Sequence, residues 1–169
     1  MKFKEIYIGD DLNLSLGRFY NTDIRKLVAF QLDYPRLFSD QLEDPSAYFT
    51  ERVRAPDSLY FALRYRKKVI AYGALDPIGK GLATMHLWRR KWERTKKQWL
   101  IGLARLMAEF SFKEMGFRRL TMAVPDFADT AASLIRDTGF TQEGILRNFA
   151  TYEGTPTNMV VFGMLKEEL

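Results

Sequence analysis

The 169-residue chain contains no cysteine and a single histidine, His86. Without thiols it builds no disulfide framework, no thiolate zinc site and no cysteine nucleophile. With one imidazole it builds no His-rich metal centre. No apolar run approaches the ~18 residues that a membrane-spanning helix needs, so no membrane partner is expected. The first residues, MKFKEIYIGDD, alternate and carry charge, and they do not read as a signal peptide. There is no repeat, linker or low-complexity tract. What is present is ordinary globular composition, 47% hydrophobic and 28% charged, which argues against disorder. At roughly 100–200 residues per domain, one domain over residues 1–169 is expected, in a soluble protein of the cytoplasm.

The charge is unevenly placed. Arg89-Arg90-Lys91-Trp92-Glu93-Arg94-Thr95-Lys96-Lys97 holds six basic residues and one acid, so its excess equals the +5 of the whole chain. A cationic loop of this kind suits an anionic partner: a phosphate, a nucleic acid or an acidic protein surface. It is equally what a solvated loop ahead of a helix looks like. Trp88, Trp92 and Trp99 interleave with these cations, a pattern also found on nucleic-acid surfaces. Trp88 and Trp99 fall on apolar sides of a strand and a helix, where core packing is expected instead.

Periodicity gives the elements. Lys2–Ile8 alternates as a strand. Asn21-Thr22-Asp23 can cap a helix carrying Ile24, Leu27, Val28 and Leu32. Asp44-Pro45 opens a second helix through Tyr48, Phe49 and Val53, which must stop before Pro56. Ser58–Tyr65 and Val69–Leu75 read as a hairpin turning at Arg66-Lys67-Lys68, and residues 76–81 (DPIGKG) read as a turn. In the next strand, Leu82–Trp88, alternation places Thr84, His86 and Trp88 on one face and Met85 and Leu87 on the other. Trp99, Leu100, Leu103, Leu106, Met107 and Phe110 then recur at helical spacing up to a Gly116 cap. Arg118–Val124 is a strand. Asp126 is placed to cap a helix with Phe127, Ala131, Leu134 and Ile135 that ends at Gly139. Phe140–Tyr152 and Asn158–Leu165 complete a hairpin turning at residues 153–157, and Glu143 and Arg147 are polar strand positions that could pair. The order β α α β β β α β α β β makes the chain α/β with a mixed sheet. The strand–helix–strand steps require parallel pairing in the second half.

The C-terminal residues carry a family pattern. Gly139-Phe140-Thr141-Gln142-Glu143-Gly144-Ile145-Leu146-Arg147 resembles the GF-x-x-EG-x-LR segment of the ribosomal-protein-acetylase branch of the GNAT (N-acetyltransferase) superfamily. Gly154 and Gly163-Met164-Leu165-Lys166-Glu167-Glu168 continue it. Met115-Gly116-Phe117-Arg118-Arg119-Leu120 and Val124-Pro125 resemble the end of that family's long helix and its fifth strand. The good match covers about residues 82–169. It implies the GNAT fold, a mixed and mostly antiparallel central sheet of about seven strands flanked by about four helices.

The resemblance also implies a chemistry, transfer of an acetyl group from acetyl-CoA to a primary amine. The cofactor is expected between the fourth and fifth strands, its pyrophosphate on backbone N–H groups at the start of the long helix. The family's Q/R-x-x-G-x-G/A loop should fall near Thr95-Lys96-Lys97-Gln98-Trp99-Leu100, where this chain has no glycine. A cofactor-contacting Asn is expected at Ala128 and a general-acid Tyr at about Leu134, two further departures. Arg90, Arg94, Lys96, Lys97 and Gln98 are then the groups expected to hold phosphates, through side chains and helix N–H groups. His86, on the strand beside the expected cleft, is the expected base. Tyr152 and Glu153 lie at the last hairpin, where acceptors approach in this branch. Ser133 has no evident base beside it and is not expected as a nucleophile. The alternative is a catalytically silent GNAT-fold protein, for example a bacteriophage virion or assembly component, contacting an anionic partner through the Arg89–Lys97 loop. A homo-oligomer is compatible with either reading.

Overall fold

A computed structural model describes residues 14–18, 24–29, 44–55, 58–65, 68–89 and 96–169. The expected strand Lys2–Ile8, the caps at residues 21–23, Leu32, Arg66, Lys67 and residues 90–95, Arg90 and Arg94 among them, lie outside the described residues. The elements are β1 (Leu14–Arg18), α1 (residues 24–29), α2 (Pro45–Arg54), β2 (Leu59–Tyr65), β3 (Lys68–Gly79), β4 (Leu82–Arg89), α3 (Lys97–Lys113), β5 (Arg119–Pro125), α4 (Asp129–Asp137), β6 (Thr141–Tyr152) and β7 (Thr155–Leu165), closed by a short 3-10 turn. The described strands form one seven-stranded sheet in the order β1-β2-β3-β4-β5-β7-β6. All neighbours are antiparallel except β4 and β5, which are parallel and joined by α3. This is the GNAT architecture expected from the element order.

Local chemistry sets the helix ends. Asp44 caps α2, accepting the Ala47 N–H at 3.0 Å, with Pro45 at its start. At the far end of α3 the chain turns through Gly116 at φ 70°, and the Phe117 N–H donates to the Ser111 carbonyl at 3.0 Å. The register of β6 and β7 is fixed by a two-residue turn, Glu153-Gly154, both at positive φ.

The sheet is packed on both faces. Phe61, Leu63, Leu75 and Met85 join α3 and α4 in one core through Leu103, Met107, Phe112 and Ile135. On the other side Tyr60, Ala62, Tyr72 and Ala74 pack with Ile24 and Leu27 of α1 and Phe49 of α2, with Trp88 at the margin. The alternation expected in β4 is seen: Met85 and Leu87 join the first core and Trp88 the second. Burying each large apolar side chain contributes about 1.5–3 kcal/mol, so both layers are needed. Gly73 lets α3 approach β3, since a Cβ there would sit 2.2 Å from the Met107 Sδ.

Four expectations are corrected. Residues 76–79 are not a turn: β3 continues to Gly79 with a bulge after Pro77, and only Lys80-Gly81 reverses the chain. Asp126 does not cap α4, which starts at Asp129 with Ala128 as its N-cap; Asp126 instead accepts from the Asn158 side chain at 2.9 Å. The last hairpin turns over two residues, because Thr155–Thr157 already pair with β6. Glu143 pairs with Arg119 of β5 rather than with Arg147. Strand β1, LSLGR, is not among the expected elements: it alternates, but over only five residues with two apolar positions and a glycine, which is too short a run to stand out.

Candidate active site

The parallel pair β4–β5 is the break in the sheet. Its ladder covers only Leu82↔Arg119, Ala83↔Leu120 and Thr84↔Thr121. Beyond that β4 continues to Arg89 and β5 to Pro125 without pairing to each other. Each remains paired on its outer side, β4 with β3 and β5 with β7. The sheet therefore splits at the C-terminal ends of two parallel strands. That is where α/β sheets bind ligands. Among the described residues the split edge of β4 has no neighbouring strand to satisfy its backbone groups.

Both α3 and α4 begin at this end, since they follow β4 and β5. The Lys96 side chain at the N-cap makes no capping hydrogen bond, and no acid occupies the first turn of α3. Its leading N–H groups thus favour an anion.

A polar cluster lies beside the split, on the side of α2. The Asp76 side chain on β3 is 9% exposed, and its Oδ2 lies 3.0 Å from Nε2 of His86 on β4. Ser58 Oγ donates to Asp76 Oδ1 at 2.8 Å, and Arg52 of α2 pairs with the same carboxylate. The Arg52 guanidinium also lies over the Tyr48 ring, 5.1 Å from its centroid. His86 stacks on Trp88 with centroids 5.4 Å apart and planes 4° from parallel, and Trp88 meets the Phe49 ring edge-on at 6.0 Å. The His86 side chain is 36% exposed, whereas the carboxylate behind it is nearly covered.

Electrostatics follow from this packing. Burial alone would raise the Asp76 carboxyl, but hydrogen bonds from His86 and Ser58 and the charges of His86 and Arg52 hold it below the usual carboxylate range. Burial and the Asp76 charge push the Tyr60 phenol up to about 12, so it stays protonated. Burial likewise raises Tyr48. Arg52 is raised because the Asp76 charge, with Tyr48 and Tyr60, outweighs the desolvation that would lower it.

The other expected residues are scattered. Tyr152 is buried at the end of β6; its ring meets Phe127 edge-on at 5.5 Å and its hydroxyl lies 3.7 Å from Met159 Sδ. No contact joins it to His86 among the described residues. Lys96 lies over the Trp99 ring at 5.4 Å. Lys97 reaches across to α4, pairing with Asp137 and donating to Ser133 Oγ at 3.3 Å. Gln98 is exposed in the first turn of α3. Leu134 packs against the first core. Sequence reading missed Asp76, Arg52 and Ser58. The available signal was period two along β3: Tyr72, Ala74 and Asp76 share the face that His86 and Trp88 share on β4.

A split parallel pair bridged by a long helix within a mixed seven-stranded sheet is the GNAT fold. No protein-family model and no curated protein sequence matches the chain. Solved structures do. The spermidine N-acetyltransferase of Vibrio cholerae in complex with CoA and spermine superposes at a TM-score of 0.79, with 16% identity, over 92% of this chain and 97% of that one. Mycobacterium smegmatis RimJ in complex with CoA-disulfide gives 0.78 at 12% identity, over 92% and 83%. A structure described as a probable acetyltransferase gives 0.73 at 15% identity, over 93% and 95%. At these identities the likeness shows the fold. Among the described residues no helix is long and apolar enough to cross a membrane.

Proposed function

We propose that the chain is a GNAT-fold acyltransferase that moves an acetyl group from acetyl-CoA to a primary amine. The observation that carries this reading is the β4–β5 split with His86 beside it. An exposed imidazole backed by a buried carboxylate is a base placed where an acceptor can meet an acyl donor.

The cofactor's fit rests on this chain's own features. The unpaired edge of β4 offers backbone groups to an extended amide-containing arm. The uncapped start of α3, with Lys96, Lys97 and Gln98, suits a pyrophosphate. Gln98 and Leu100 fill positions where the resembled family has small residues, so side chains take over part of the phosphate binding. Acetyl-CoA, when bound, supplies the activated acetyl group. A primary amine is protonated at neutral pH and must lose a proton before it attacks. His86 accepts that proton, and Asp76 stabilises the resulting imidazolium.

The test is thermal unfolding of the full chain with and without acetyl-CoA, followed by an acetyl-transfer assay over peptide N-termini, lysine peptides and polyamines. A ligand of the folded state at a hundred times its Kd stabilises by about 2.7 kcal/mol, which reads as a raised Tm. An unchanged Tm at millimolar acetyl-CoA overturns the reading and leaves the fold as a binding scaffold.

A further inference from the structure

We propose that Asp76 is a positioning residue for His86: it accepts the Nε2–H and leaves Nδ1 as the ring's proton-accepting atom. The catalytic consequence rests on the acetyl-transfer reading, whereas the state of the ring does not.

Three observations converge. First, Nε2 of His86 is the ring nitrogen that faces Asp76, 3.0 Å from Oδ2, a buried oxygen that has no aligned hydrogen-bond donor among the described residues and so calls for one. Second, the carboxylate is already an acceptor on its other oxygen, from Ser58 Oγ at 2.8 Å, and is neutralised by Arg52. An ionised carboxylate only accepts, so the shared proton belongs to the imidazole. In a neutral ring with a proton on one nitrogen, the other carries the lone pair. Third, the ring cannot turn freely. It lies flat on Trp88, which Phe49 braces edge-on. Stacking fixes the plane and Asp76 fixes the orientation within it. The groups around the pair are Arg52 and Tyr48 from α2, Ser58 and Tyr60 from the β2 side, and Thr84, the cross-strand partner of Asp76 on β4. Among the described residues none of these supplies a second anion beside Asp76.

The arrangement differs from a free surface histidine in a measurable way. His86 is the chain's sole histidine, so every imidazole signal in a spectrum belongs to it. Long-range nitrogen–proton correlation spectra of the full chain, taken above neutral pH without ligand, read the ring directly. We expect Nε2 protonated, Nδ1 unprotonated, and an Nε2–H proton resolved far downfield because the carboxylate shields it from exchange. In Asp76→Ala the two nitrogen shifts should move toward each other as the ring samples both tautomers, and the downfield proton should vanish. In Asp76→Asn the amide oxygen still accepts, so the tautomer should persist with the proton moved upfield. A wild-type ring protonated at Nδ1, or already averaged, overturns the assignment even if Asp76→Ala fails to fold.

The rate is the second readout. Asp76→Asn should lower kcat of acetyl transfer on the order of ten- to a hundredfold with little change in KM for acetyl-CoA. An unchanged kcat reduces Asp76 to a structural acid and overturns the positioning role. If the wild type transfers acetyl to no amine, the acyltransferase reading falls, and the spectra still decide which nitrogen holds the proton.

Discussion

Arg119 on β5 and Glu143 on β6 are paired across an intervening strand, over Gly163 of β7. One arm of the fork, from Nη1 to Oε1, is 2.8 Å long, and a second contact joins Nη2 to Oε2. The pair passes over Gly163 because a Cβ there would lie 2.4 Å from the Glu143 carboxylate. The glycine and the acid of the resembled C-terminal segment are thus one device, which ties the edge strand β6 to β5. The pair sits near the surface, with side chains 31% and 37% exposed. Glu143→Gln should therefore cost no more than about 1 kcal/mol in denaturant unfolding. Gly163→Ala should break the fork at a similar cost. The double variant should cost less than the sum, since both changes remove the same contact. Strict additivity would show that Glu143 does not sit over Gly163 in solution.

The same logic is stricter in the core. Met107 is fully buried, and its Sδ occupies the space of the missing Gly73 side chain. Gly73→Ala should destabilise by about 1–3 kcal/mol, the usual cost of overpacking. Adding Met107→Ala, which alone should cost about 2–5 kcal/mol, should bring the double variant well below the sum. Urea unfolding of the four proteins checks this.

Asp76 makes the stability depend on acid. Its carboxyl lies below the usual range in the fold, so the folded state prefers the ionised form. Its contribution is full above the unfolded value of ~3.9 and is lost as pH falls through the lower folded value. Asp76→Asn should cost about 1–3 kcal/mol at pH 6, on the scale of hydrogen bonds to charged groups. The gap to wild type should narrow steadily below pH 4. A gap that stays constant into acid would mean that the carboxylate gains nothing from Arg52, Ser58 and His86.

Sequence reading reached the fold but only part of the candidate site, for a physical reason. Periodicity reports burial, and burial defines elements: the alternation of β4 and the helical stripe of α3 were legible because a core face repeats. The β4–β5 neighbourhood followed from connection rules. The Asp76 cluster has no such repeat. It is assembled from α2, β2, β3 and β4, and Asp76-Pro77 carries turn chemistry that outweighed its place in a strand. Lys97 was legible as a cation at a helix start, but its partner Asp137 is forty residues away on α4 and invisible to local pattern.

His86 carries the enzymatic reading, and its removal tests it. His86→Ala should lower acetyl transfer on the order of a hundredfold if the imidazole is the base. The fold should persist, because the side chain is more than a third exposed. The control is a far-ultraviolet spectrum and Tm of the variant beside the rate. An unchanged rate would return His86 to a packing role against Trp88.

Lys97, at the head of α3, is already engaged by its neighbours. Lys97 pairs with Asp137 and donates to Ser133, while Lys96 rests on Trp99. On the acetyl-transfer reading, acetyl-CoA would compete with Asp137 for Lys97, and the chain lacks the glycines that would let the backbone approach the phosphates closely. Affinity should accordingly be weak, with a Kd in the micromolar range or above by calorimetric titration. Asp137→Asn should release Lys97. An exposed pair is worth about 0.2–1 kcal/mol, so binding should tighten by up to about fivefold, a conversion in which 1.4 kcal/mol is tenfold. The gain should shrink as salt is raised, because a freed ammonium near a pyrophosphate is screened. Lys97→Ala in the same background should abolish the gain. Submicromolar binding by the wild type, or an Asp137→Asn variant that binds no tighter at low salt, would remove Lys97 from the cofactor's neighbourhood.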